Sequence, residues 1–297
     1  MTSLEPLLSC QKLERIDLSY CPPHLDTEPL HELNSLRVIE CIDRPDIEIL
    51  APIEPPADPK PGDIFYERIG NCRLKMVWIP DGMFQMGSSD NEEGRYDDEG
   101  PQHEVKLTGF WLAAEPVTQS QYEAVMDKNP SHSQGPNNPV ENVSREDAME
   151  FCQKLSDQTK RKFTLPSEAQ WEYACRAGSK TKHCFGNSEK ELGDYAWYAK
   201  NSKGQTQPVG KKKPNGWGLY DMHGNVWEWC LDWYGKYSKE QQENPTGPES
   251  GTYRVLRGGG WFIDAEGCRS AVRNNRTPGN RFSYVGFRVL AVRSGSK

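Results

Sequence analysis

The chain has 297 residues, 36 of them basic and 43 acidic, for a net charge of −7, which exceeds one average domain but is modest for two large ones. Hydrophobic residues reach only 35%, so 9 Trp, 12 Tyr and 9 Phe must supply much of the burial, while 26 Gly and 22 Pro favour turns over long helices. Lys211-Lys212-Lys213 is the one basic tract and is too short for a nucleic-acid groove, and no apolar run has transmembrane length.

Residues 1–60 hold 12 acids and 5 bases and so carry the entire net charge. Within 1–50, Cys10-x-x-Leu13-x-x-Ile16-x-Leu18 recurs as Leu33-x-x-Leu36-x-x-Ile39-x-Cys41, an offset of 23 residues. That spacing resembles leucine-rich repeats, although two copies are fewer than such a core needs; an amphipathic coincidence gives the same pattern. If formed, the segment is a place for a partner to dock. Residues 51–62 contain five prolines and read as an extended linker, which leaves 63–297 as the main domain. Met1-Thr2-Ser3-Leu4-Glu5 shows no secretory leader, and the nine cysteines lack CxxC spacing. Free thiols in a reducing cytoplasm are expected.

The main domain opens with a strand at Met76-Val77-Trp78-Ile79 and a turn at Pro80-Asp81-Gly82. Glu92 to Gly100 is an acidic loop. Thr118-Gln119-Ser120-Gln121 has capping-box spacing and predicts a helix with Tyr122, Val125 and Met126 inward. Ser144 starts a second helix, whose apolar side is Ala148, Phe151, Cys152 and Leu155. Pro166 and Ser167 start a third, with Trp171, Ala174 and Cys175 inward. After Gly178 the chain reads as mostly loops up to the strands Tyr253–Leu256 and Phe287–Val292.

Four motifs, Ile79 to Ser88, Thr164 to Ala174, Gly218 to Trp229 and Arg254 to Arg288, occur in an order that resembles the formylglycine-generating enzyme (sulfatase-modifying factor) family. The resemblance runs from about Val77 to Val292. It implies an α+β, loop-rich, C-type-lectin-like fold of formylglycine-generating-enzyme type, with the leucine-rich-repeat-like segment ahead of it. The enzymes bind copper through two cysteines, and thiolates suit copper(I). Here Cys268 takes the second position and Ile263 the first, so the two-sulfur site cannot form. A formylglycine-generating or related oxygen-dependent oxidoreductase is therefore the alternative reading.

The segment 261–288 looks more like the variable region of diversity-generating retroelement proteins. Gly259-Gly260-Trp261, Cys268-Arg269-Ser270-Ala271, Arg273 and Gly286-Phe287-Arg288 form a fixed frame. Phe262, Ile263, Asp264, Gly267, Val272, Phe282, Ser283 and Tyr284 share neither charge nor size. In those systems adenines in a template are randomised, so an Asn codon can become any residue except Lys, Met, Gln, Glu or Trp. All eight are reachable that way, and Asn274 and Asn275 fit as unmutated positions. The resemblance implies a non-enzymatic protein binding a variable protein or other macromolecular ligand through these residues and Asn274. The other reading is a catalytically inactive member with ordinary loops. Asp221, Gly224, Val226 and Glu228 match a calcium site of the enzymes, of structural rather than catalytic use and not required for binding. The alternative is a self-capped turn with Glu228 paired to an arginine such as Arg257. Arg257, Arg269, Arg273 and Arg288 are expected as internal pillars binding several carbonyls each.

Overall fold

The computed structural model describes residues 55–70 and 72–292, together with two short strands nearer the N-terminus, β1 (Arg15–Asp17) and β2 (Val38–Glu40). The chain divides into two units, the second comprising Lys60–Asp63 and Arg68–Lys297. In the first, β1 and β2 run parallel with Arg15 opposite Val38, Ile16 opposite Ile39 and Asp17 opposite Glu40. The two isoleucines of the repeated motif are thus register partners. The rest of the repeat-like segment lies outside the described residues.

From residue 64 the chain runs through β3 (Ile64–Ile69), whose first four residues count with the first unit, and then β4 (Cys72–Ile79), β5 (Gly82–Met86), β6 (His103–Leu107) and β7 (Phe110–Ala113). Helices α1 (Gln119–Met126) and α2 (Arg145–Thr159), strand β8 (Phe163–Thr164), and helices α3 (Glu168–Arg176) and α4 (Leu192–Tyr195) follow. The chain closes with β9 (Trp227–Trp233), β10 (Gln242–Glu243), β11 (Arg254–Arg257), β12 (Arg273–Arg276), β13 (Val285–Gly286) and β14 (Leu290–Ala291). Among the described residues no helix is long and apolar enough to cross a membrane.

The first three helices start where capping chemistry dictates. Thr118 accepts from the Gln121 amide and Ser167 from the Gln170 amide, with reciprocal bonds back to each cap. Ser144 and Asp147 form the same box, so the shorter aspartate serves as well as Glu or Gln. Tyr122 and Phe151 stack across α1 and α2 with ring centroids 5.6 Å apart, and Phe287 meets Phe151 edge-on at 5.3 Å.

Strand β9 is a correction to the expected loop after Gly178. Its sequence Trp-Glu-Trp-Cys-Leu-Asp-Trp is buried at Trp227 through Cys230 and again at Asp232. Predicted Phe287–Val292 shortens to β14, and predicted Tyr253–Leu256 shifts by one residue to β11.

The sheet that positions the site has the order β12-β11-β9-β13. Strand β11 is antiparallel to both β12 and β9, whereas β13 is parallel to β9. Arg257 at the end of β11 therefore faces Glu228 at the start of β9, and Val285 at the start of β13 faces Trp227. The loop leaving β11 and the loop entering β13 meet at one end of the sheet. This topology brings the two diverse triplets together although they lie far apart in sequence.

Candidate ligand-binding site

Arg257 is followed by Gly258 and Gly259, which have φ of +106° and +76°. A side chain at Gly259 would place its Cβ 3.1 Å from Cys268 Sγ, so glycine alone fits this entry to the loop. The main chain of both triplets is then tied down. The Trp261 amide donates to the Asn225 carbonyl at 2.8 Å, and the Trp227 amide donates to the Tyr284 carbonyl at 2.9 Å. The Phe282 carbonyl accepts from the Asn142 amide at 2.9 Å and the Ile263 carbonyl from Ala199 at 3.0 Å. Trp261 Nε1 donates to the Ser283 carbonyl at 3.0 Å and joins one loop to the other.

What remains free is a strip of aromatic faces. Trp261 and Phe262 lie 5.3 Å apart, Phe262 and Tyr284 4.6 Å, and Tyr284 and Phe282 4.9 Å with nearly parallel rings. The Arg276 guanidinium sits over Phe282 at 5.6 Å and donates to Asn274 Oδ1 at 3.0 Å, which brings Asn274 to the end of the strip. Phe262 is 42% exposed and Asp264 is exposed, whereas Phe282, Ser283 and Tyr284 are half-buried because the rings cover one another.

Three expected members do not belong to this strip. Val272 is only 4% exposed and is core, with its carbonyl held by Arg257 Nη1. Ile263 turns away to pack on the small core of Leu192, Ala196, Tyr198, Ala265 and Cys268. Gly267 lies beneath it, and a Cβ there would meet Ile263 Cγ2 at 2.3 Å. Conversely, Trp261 and Arg276 join the strip although sequence reasoning put the first in the frame and did not single out the second. The signal for Arg276 was its alternation with Asn274 on one strand face.

The frame is built from four buried arginines, each tied to a glutamate and to backbone carbonyls. Arg288 binds both oxygens of Glu228, each at 2.7 Å, and the carbonyls of Ala113, Ala114 and Tyr220. Arg273 binds both oxygens of Glu168 and the carbonyls of Asp98 and Gly235. Arg269 binds both oxygens of Glu99, one of Glu92, and the carbonyls of Gly94 and Glu266, which explains the acidic loop at 92–100. Arg257 takes Glu172 and the carbonyls of Ala271 and Val272. The planar guanidinium satisfies several irregular loops at once. Burial pushes Glu99 up, but hydrogen bonds and charge from Arg269 outweigh it and hold the carboxyl below its usual range. Glu168 is held low the same way, burial being outweighed by Arg273 and Arg257.

Asp221, Gly224, Val226 and Glu228 do not fit a calcium site. Both Glu228 oxygens face the Arg288 guanidinium, and Trp171 Nε1 also donates to Oε2 at 2.8 Å. Asp221 accepts from the Gly210 amide and from Asn225 Nδ2, while the Gly224 carbonyl accepts from the Val226 amide. The partner of Glu228 is Arg288 and not Arg257. Adding millimolar calcium or a chelator is accordingly expected to leave the thermal midpoint unchanged; a rise with calcium alone would restore the metal reading.

Cys268 is 1% exposed, and burial pushes its thiol up to about 12, so it stays protonated at neutral pH. His223 donates from Nδ1 to the Cys268 carbonyl at 2.8 Å and accepts at Nε2 from the Cys184 amide at 3.2 Å, a structural role. No group of three His, Cys, Asp or Glu side chains among the described residues could hold a metal ion. The chemistry on offer at the strip is packing against ring faces with polar groups at its ends.

Mixed helices and short sheets under a loop-built face define an α+β, C-type-lectin-like domain of formylglycine-generating-enzyme type. Residues 68–293 match the model of the sulfatase-modifying factor enzyme 1-like domain, and the chain belongs to that family. It is 31% identical to the formylglycine-generating enzyme of Mus musculus, over 73% of this chain and 75% of that protein. Among solved structures it resembles Treponema denticola variable protein 1 at 34% identity and a TM-score of 0.72, covering 76% of this chain and 98% of that one. PvdO from Pseudomonas aeruginosa is similar at 32% identity and a TM-score of 0.73, covering 79% of this chain and 99% of that one.

Proposed function

We propose that this chain is a non-enzymatic binding protein of the diversity-generating retroelement type. It binds a protein or other macromolecular ligand through Trp261, Phe262, Phe282 and Tyr284, with Asp264, Ser283 and Asn274 adding polar contacts. The observation that carries this reading is the strip itself, in which anchored main chain supports free aromatic side chains. Rigid aromatics on a fixed backbone lose little entropy on binding, as in paratopes. The likeness to Treponema denticola variable protein 1 supports the same reading. Ile263, packed on its small core where the enzymes carry a thiolate, argues against copper chemistry.

Purified protein given copper, oxygen and a cysteine-containing peptide is expected to leave the peptide unoxidised. A repeat near the gene should differ from the codons of 262–284 mainly at adenines. Formylglycine in the peptide, or differences spread evenly over all four bases, would each count against the reading.

A further inference from the structure

A second concave site lies apart from the aromatic strip. It is a cleft of about 290 Å³. Its floor is made by the buried polar side chains of His103, Glu168, Asp232 and Arg273, and its walls include Trp233 and Tyr237. Two of the floor groups satisfy each other, since Arg273 binds both oxygens of Glu168 and Tyr237 donates to the same carboxylate at 3.0 Å.

The other two keep a free acceptor. Asp232 is 4% exposed, and its Oδ2 accepts from the Glu168 amide at 2.8 Å, whereas Oδ1 has no side-chain or main-chain donor from another residue. His103 is 3% exposed, and its Nδ1 lies 3.0 Å from the Pro101 carbonyl. A carbonyl can only accept, so Nδ1 carries the proton and Nε2 presents a lone pair without a partner. Two unpaired acceptors on nine-tenths-buried side chains at the floor of one cleft call for a ligand rich in donors.

We propose that this cleft binds a small organic cation with several N–H donors, a primary amine or a guanidinium, placed on Asp232 Oδ1 and His103 Nε2. The aromatic walls suit the apolar and cationic parts of such a ligand. Burial, with the charge of Glu168 adding to it, pushes the Asp232 carboxyl up to about 7, while Arg273 pulls the other way. Arg273 is already committed to Glu168, and although Asp232 feels the charge of Arg254 it makes no ion pair among the described residues, a place that a bound cation would fill. Lys236 stands at the rim and is exposed, where solvent screens it.

The test is calorimetric titration of the full chain with agmatine, against tetramethylammonium as a cation without donors. Saturable binding of agmatine is expected, with tetramethylammonium about tenfold weaker or more. Asp232→Asn keeps an oxygen for the Glu168 amide and removes the charge, and should weaken agmatine about tenfold. Ser238→Phe fills the mouth from a half-buried position and should do the same without touching the floor, so it decides the matter if the first variant fails to fold. No saturable heat up to about 10 mM agmatine, equal affinity for tetramethylammonium, or unchanged affinity in a folded Ser238→Phe variant would each overturn the proposal.

Discussion

Arg288→Ala is expected to lower the unfolding free energy by about 3–5 kcal/mol, the usual cost of leaving one member of a buried ion pair alone. The substitution removes the charge partner of the fully buried Glu228, leaving it only the Trp171 Nε1 donor on Oε2, and takes one donor from each of three backbone carbonyls. Phe262→Ala, by contrast, should change stability by no more than about 1 kcal/mol, because that ring is 42% exposed and no packing core depends on it. Denaturant unfolding of the two variants compares them directly. Equal losses would mean that frame and binding surface are not separate, and the proposed division of labour would fail.

Asp221→Asn should act in the opposite direction, and only at high pH. Burial pushes the Asp221 carboxyl from 3.8 up to about 7, with the charge of Glu115 adding to the shift and the Gly210 amide, Arg288 and Asn225 opposing it. A raised folded pKa means that the native state holds a proton between about 4 and about 7 that the unfolded state has released. The stability this contributes is complete below the unfolded pKa and is lost as pH rises through the folded one. The neutral amide escapes that loss while still accepting from Gly210. The variant should match the wild type near pH 4 and exceed it by about 2–4 kcal/mol at pH 8. A variant less stable than the wild type at pH 8 would show that Asp221 is needed as an anion there.

Much of the fold was legible from local chemistry. The caps at Thr118, Ser144 and Ser167 and the inward faces of α1, α2 and α3 follow from spacing alone. The arginine pillars were legible as a residue type, but their partners were not. Glu99 lies 170 positions from Arg269 and Glu168 lies 105 from Arg273, so only the assembled fold pairs them. Strand β9 was hidden because carboxylates at Glu228 and Asp232 interrupt its apolar run, and only the assembled fold supplies Arg288 and the Glu168 amide to bury them. The site was legible as a region and not as a face. Val272, Ile263 and Phe262 look alike in a list of diverse residues, yet one is core, one caps a small cluster and one is exposed. The cleft left no mark in the sequence, since His103 and Asp232 belong to different sheets and come to one cleft only in the assembled fold.

The pinned main chain of the two site loops has a consequence for building recognition libraries on this scaffold. Phe262, Asp264, Phe282, Ser283 and Tyr284 contribute side chains outward while their peptide groups, or those beside them, hold the architecture. Randomising these five codons should leave most library members folded. Extending the randomisation to Ile263, Gly267 and Val272 should discard most of them, because those three positions fill space that has one shape. A small codon set therefore samples more usable chemistry here than a large one.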